Sequence, residues 1–258
     1  KVTIPEGYTI DQIATAITTD VSTKKAGKTP FKKEDFLKAV QDDAFIEKMV
    51  AKYPKLLANL PSKDSGVRYR LEGYLFPATY NYGKDTTVKE MIDQMLAAMD
   101  QNLSPYYETL ESKNINVNEV LTLASLVEKE GATDQDRKDI ASVFYNRLNQ
   151  DMPLQSNIAI LYAEGKLGQK TTLKEDATIN TELDSPYNIY KNTGLMPGPV
   201  DNPGVSAIEA AVNPSKTDYL YFVANVENGE VFFAKTYEEH NKNVEEHVNS
   251  KLTQASSN

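Results

Sequence analysis

One glutamate on the stretch Asn116 to Glu130 (NVNEVLTLASLVEKE), Glu128, is the residue of this chain best placed for acid–base chemistry. Read as a helix turning about 100° per residue, Val117, Val120, Leu121, Ala124 and Val127 form one apolar stripe. Glu128 falls inside that stripe, almost in line with Val117, so it is expected to point inward. Glu119 and Glu130 fall close together on the opposite side, where a carboxylate stays hydrated. A carboxyl among apolar side chains resists ionisation, so its pKa rises and it holds a proton near neutral pH. A general acid needs such a proton. The competing reading is a buried glutamate satisfied by an arginine or a backbone amide, and the stripe alone does not choose between them.

Polar and aromatic clusters stand ready to surround such an acid. Leu154-Gln-Ser-Asn157 follows Pro153, and Ser185-Pro-Tyr-Asn-Ile-Tyr190 carries two tyrosines and an amide. Aromatic faces stack on sugar rings, and amides bond to hydroxyl and N-acetyl groups, so both clusters suit a polysaccharide groove. Tyr187 and Tyr190 read equally as half-buried loop anchors. Gly194 to Pro203 (GLMPGPVDNP) is too rich in Pro and Gly for a helix or an inner strand and is expected to be a shaped loop. Its Gly198, and Gly204 beyond it, either bring backbone close to a ligand or serve the turn itself. Glu72 lies in the otherwise apolar and aromatic run Arg70 to Pro77 and reads first as a structural ion-pair partner.

The elements that must hold these groups are mostly helical. Val2 to Ala14 reads as a strand, a Pro-Glu-Gly turn and a helix, and further helices are expected over Lys33 to Val40, Asp43 to Tyr53 and Val88 to Gln101. Pro61 to Gly66 is a turn-rich connector and the candidate domain boundary. Thr133-Asp-Gln-Asp136 looks like a helix start, with Ile140, Val143, Phe144 and Leu148 on the core face. Asp218 to Ala224 and Gly229 to Ala234 read as a hairpin, and a last helix is expected from Tyr237 to Leu252.

Composition removes several function classes. The chain has 258 residues, enough for a substantial core, and a formal net charge of −9 with no basic tract interleaved with aromatics. Nucleic acid is therefore not an expected partner. Without cysteine there is no disulfide framework, no thiolate metal site and no Cys nucleophile. The two histidines, His240 and His247, lack metal-ligand spacing and read as solvated surface residues, so no metal is expected. No run of 18 apolar residues marks a membrane span, and no secretory leader is recognisable.

LEGYLFPATY at Leu71 to Tyr80, LASLVEKEG at Leu123 to Gly131, SVFYNRL at Ser142 to Leu148, LQSN, SPYNIY, GLMPGP and YLYFVA occur in that order. Together they resemble the YceG-like family, the MltG-type endolytic murein transglycosylases of bacterial cell-wall synthesis. The likeness runs from about Arg70 to His247. It implies an α+β fold: a helix-rich catalytic domain at 66–258, with a lysozyme-like acid-bearing helix and a C-terminal hairpin, after a LysM-like and helical subdomain at 1–65. It also implies that the glutamate heading VEKE, Glu128, is catalytic. Gln155, Ser156, Asn157, Tyr187, Asn188, Tyr190, Gly194, Leu195, Pro197, Gly198, Glu72 and Tyr74 are the candidates for binding glycan. Relatives commonly carry Asp where Asn157 stands, so no carboxylate role is assigned there.

The reaction so implied needs no cofactor and only one carboxyl, which protonates the bond between N-acetylmuramic acid and N-acetylglucosamine and then helps the muramyl 6-hydroxyl close a 1,6-anhydro ring. The partners implied are peptidoglycan strands and proteins of wall synthesis. The location implied is the extracytoplasmic face of the membrane, reached through an anchor outside these residues. Two rivals stay open: a non-catalytic glycan-binding scaffold, and a muramidase that adds water across the same bond.

Overall fold

The computed structural model describes residues 1–23, 27–168 and 179–249 of the chain. Its centre is the long acid-bearing helix. Taking elements in chain order, the first region holds β1 (Val2–Thr3), α1 (Ile10–Ala16), β2 (Thr19–Asp20), β3 (Gly27–Lys28), α2 (Lys33–Ala39) and α3 (Asp43–Lys52). Then come β4 (Thr79–Tyr80), α4 (Val88–Leu103), α5 (Tyr107–Ser112), α6 (Val117–Glu130), α7 (Asp134–Asn149) and α8 (Asn157–Ala163). Helix α9 (Val205–Val212), the hairpin β5 (Tyr221–Ala224) and β6 (Val231–Ala234), and α10 (Tyr237–Val244) complete it. The class is α+β, as expected: helices dominate, and each sheet is a two-stranded antiparallel pair.

Helix α6 is buried without a break from Val120 to Val127, because α7 and α9 pack on it from two sides. Wrapping a helix this completely selects an all-round apolar sequence, and VLTLASLV is one. Its small polar members bond within the core: Thr122 Oγ1 donates to the Asn118 carbonyl at 2.6 Å, and Ser125 Oγ to that of Thr122 at 2.7 Å. The start is fixed by a capping box. Asn116 accepts from the Glu119 amide at 2.8 Å, and Glu119 accepts from the Asn116 amide at 3.2 Å. Glu119 is thereby committed to the cap. Thr133 caps α7 as its sequence suggests, accepting from Asp136 N at 3.0 Å.

The first residues are interlocked with those beyond the Pro61 to Gly66 connector. Strand β1 pairs with β4, Val2 opposite Tyr80, and Tyr8 forms an isolated bridge with Asn202. The C-terminal hairpin lies where the aromatic runs predict it, but β5 starts three residues later than the run. The carbonyls of Thr217, Tyr219 and Leu220 are taken by Asn146 and Arg147 of α7 instead of by a ladder. The last helix ends as α10 at Val244, followed by a π turn to Asn249. The rest of its expected length falls outside the described residues.

Candidate active site

Glu128 points inward, as its place on the stripe demands; its side chain is 7% exposed. Oε1 accepts from the Gly204 amide at 2.8 Å, and Oε2 lies 3.8 Å from Arg137 of α7. A Cβ on Gly7 would sit 3.2 Å from its Cγ, so Gly7, with φ at +77°, closes the remaining side. Burial raises its pKa, and the Gly204 amide and Arg137 pull the other way. The carboxyl is thus held by a backbone amide and an arginine, the arrangement of a satisfied structural glutamate.

Glu130 departs from expectation. Helical geometry puts it opposite Glu128, but that side of the helix end is half-buried, because α8 packs on α6 there and Ser156 reaches the carboxyl. Burial raises its pKa, offset only by Ser156, whose Oγ donates to Oε1 at 3.1 Å. Ser156 also caps α8 through Ile158 N at 3.2 Å, so the helix start fixes the donor. No cation pairs with Glu130 among the described residues. A carboxyl that is desolvated and bonded to one neutral hydroxyl is the better proton reservoir of the two.

Glu130 also faces space. A groove of about 790 Å³ is lined by Glu130, Gln155, Ser156, Asn157 and Tyr190, with Lys129 and Arg147 beside them. Its far wall is β5, with His240 of α10 and Val226 of the hairpin turn. Glu128 does not line it. Gln155 is held at φ +57°, a sparsely populated conformation for a non-glycine, with its amide donating to Ile189 O at 3.0 Å. Its side chain is exposed to the groove. Tyr190 donates its hydroxyl to Asn157 Oδ1, which joins the two predicted clusters at one place.

The other candidate residues lie elsewhere. Glu72 is 1% exposed and makes no ion pair among the described residues: it accepts from Ile10 N at 2.8 Å, Asn202 Nδ2 at 2.8 Å and Tyr162 Oη at 2.9 Å. Burial raises its pKa to about 8. It is a buried knot, and each donor to it among the described residues is neutral, where an ion-pair partner was expected. Tyr74 is fully buried, with its hydroxyl on Asn118 Oδ1 at 3.0 Å.

Tyr187 and Asn188 are buried too. Tyr187 packs edge-on against Tyr162, and Asn188 donates to the carbonyls of Thr181 and Leu183. The loop with Gly194, Leu195, Pro197 and Gly198 meets the other end of α6, where Asn118 Nδ2 donates to Pro197 O at 3.1 Å. Twelve residues of helix separate Asn118 from Glu130, about 18 Å. The loop therefore does not border the groove.

Two groups escaped the sequence reading. His240, expected to be solvated, stacks on Tyr221 with centroids 5.1 Å apart, and its buried Nδ1 has no partner among the described residues. Burial lowers its pKa, with Arg147 adding to the effect. Asp201 is fully buried with both oxygens unpartnered, and burial holds its pKa well above the usual range. The aromatic run before α10 hinted at the first; the Pro-rich loop gave no periodicity that could reveal the second. Among the described residues no cluster of His, Asp or Glu could hold a metal ion, and no helix is long and apolar enough to cross a membrane.

The sequence model of the YceG-like family matches residues 1–246. A protein of Streptococcus pneumoniae serotype 2, named endolytic murein transglycosylase, is 64% identical over 250 residues, which cover 97% of this chain and 45% of the relative. One of the same name from Bacillus subtilis is 41% identical, over 97% of this chain and 66% of the relative. A crystal structure of a putative YceG-like protein from Listeria monocytogenes superposes with a TM-score of 0.82 at 46% identity, covering 94% of this chain and 75% of that one. The chain thus spans less than half of the pneumococcal relative.

Proposed function

The chain belongs to the YceG-like family, and from that premise we propose that it carries the catalytic part of an endolytic murein transglycosylase whose acid is Glu130. The observation that carries this reading is the groove. Its floor is the one desolvated carboxyl of α6 that faces open space, and the amides and hydroxyls of Gln155, Asn157 and Tyr190 surround it. Glu128, the glutamate singled out by its stripe, is already satisfied by Gly204 and Arg137, and we assign it to holding the α6–α9 junction.

In the proposed reaction protonated Glu130 gives its proton to the oxygen joining muramyl C1 to the next N-acetylglucosamine, and the C1–O bond breaks. The carboxylate left behind takes the proton of the muramyl 6-hydroxyl as O6 bonds to C1. Proton and electron pairs balance without water. Ser156 stabilises the carboxylate between the two steps, and the tethered hydroxyl supplies the effective concentration that free water lacks. The proposed setting is the extracytoplasmic face of a bacterial membrane, with the chain held by an anchor outside these residues and acting on nascent glycan.

Glu130 must start protonated, so the rate is expected to fall on the alkaline side with an apparent pKa above the ordinary glutamate value of about 4.3. A steady-state pH profile on soluble glycan checks this. A rate that stays level from acid to mildly alkaline pH, with chemistry limiting, rules out the acid role. The masses of the new ends test the product: 1,6-anhydro-muramyl ends support the transglycosylase, and ends carrying an added water overturn it in favour of a hydrolytic muramidase.

A further inference from the structure

The far wall of the groove is the edge of a β-strand. Strand β5 pairs with β6 in the register Tyr221–Ala234, Phe222–Phe233, Val223–Phe232 and Ala224–Val231. Asn225 N donates to Glu230 O at 2.7 Å, which makes the 225–230 pair a hydrogen-bonded one. In an antiparallel ladder such pairs alternate, so 223 and 221 turn their polar groups towards β6, and 222 and 224 turn theirs away. The outward N–H and C=O of Phe222 and Ala224 have no partner among the described residues, and both residues line the groove. At the strand's start the alternation breaks and the edge is closed: Leu220 N donates to Ala234 O at 3.0 Å, and Arg147 Nε donates to Leu220 O at 2.6 Å. Only the part inside the groove is open.

We propose that this edge binds the peptide stem of the murein substrate, which lies along β5 as an added strand. The proposal rests on the glycan-cleaving reading of the groove. An open strand edge recognises secondary amides, and murein offers them from two sources, the N-acetyl groups of the sugars and the stem. The spacing favours the stem. Phe222 and Ala224 present like groups about 6.7 Å apart along one edge, the spacing at which every second residue of an extended segment presents its own. N-acetyl groups come one to a sugar on a strand that rotates from sugar to sugar. The lining agrees as well: Val223 and Val226 on the same wall accommodate the small apolar side chains of a stem, and Lys129 elsewhere in the groove supplies a positive charge for its carboxylates. Stem recognition places the muramyl sugar, which bears the stem, next to Glu130.

The test uses isotope-labelled chain carrying Glu130→Gln, so that substrate persists. Amide signals of Phe222 and Ala224 are followed with soluble stem-bearing glycan, with the same glycan stripped of stems, and with free stem peptide. The expected result is that both signals move with the stem-bearing glycan and not with the stripped one. Movement with stripped glycan alone assigns the edge to N-acetyl groups and overturns the stem. Movement of Ser156 and Asn157 without Phe222 and Ala224 leaves the groove a glycan site and overturns the edge. No movement anywhere removes the glycan-binding reading itself. As a second measure, Ala224→Pro deletes one outward N–H, a change an edge strand tolerates. It is expected to lower the ratio of kcat/KM on stem-bearing over stripped glycan by roughly 3- to 10-fold, the worth of one hydrogen bond. An unchanged ratio in a folded variant contradicts the proposal.

Discussion

Glu130→Gln is expected to fold like the parent and to lose about 10² to 10⁴ in cleavage rate, the usual cost of removing a general acid. Gln preserves the shape and can still accept from Ser156 Oγ, but it has no proton to transfer. Glu128→Gln is the control. Its amide oxygen still accepts from Gly204, so the variant is expected to keep most of its activity and to lose on the order of 1 kcal/mol of stability with the Arg137 contact. Rates on soluble glycan and melting curves of the two variants, side by side, check both statements. If the two losses are reversed, with Glu130→Gln active and Glu128→Gln silent but folded, Glu128 is the acid and the groove assignment fails.

The second large effect is structural. Glu72 ties three parts of the molecule together: the start of α1 through Ile10 N, the loop before α9 through Asn202, and α8 through Tyr162. Glu72→Leu leaves those three donors buried without an acceptor, and about 3–5 kcal/mol of stability should disappear, measured by urea unfolding. A loss under about 1 kcal/mol means that the knot is not built as described. The pH dependence has a definite sign. The folded pKa of about 8 lies above the unfolded value, so the fold prefers the protonated acid. That contribution is complete below about pH 4.3 and is lost as pH rises towards 8. Glu72→Gln, a permanent neutral analogue, should flatten this part of the stability profile.

Much of the architecture was legible from periodicity and caps. The α6 stripe, the Thr133 cap and the hairpin all follow from local rules that tertiary contacts do not override. The site was legible only in part. Gln155, Ser156, Asn157 and Tyr190 line one groove, and the glutamate that lines it with them is Glu130 and not Glu128. A helical wheel assigns Glu130 to water because it knows only the residues of its own helix. The cover over that side comes from α8 and the strained turn at Gln155, both distant in sequence. For the same reason Glu128 looked poised: nothing in the stripe announces Gly204, 76 residues away, as its donor. Tyr187 and Asn188 sit in a motif with surface-like composition but serve the packing beneath it.

The proposed endolytic activity rests on the groove beside Glu130 and on the names of the relatives. It is tested most directly by the fragments released early from long, uncrosslinked glycan, sized and weighed, with Glu130→Gln run in parallel. Mid-length fragments are expected from the first time points, with 1,6-anhydro-muramyl ends, and intact glycan in the Glu130→Gln lane. Disaccharides leaving the strand ends from the outset, or the same mid-length fragments persisting without the Glu130 carboxyl, would contradict it.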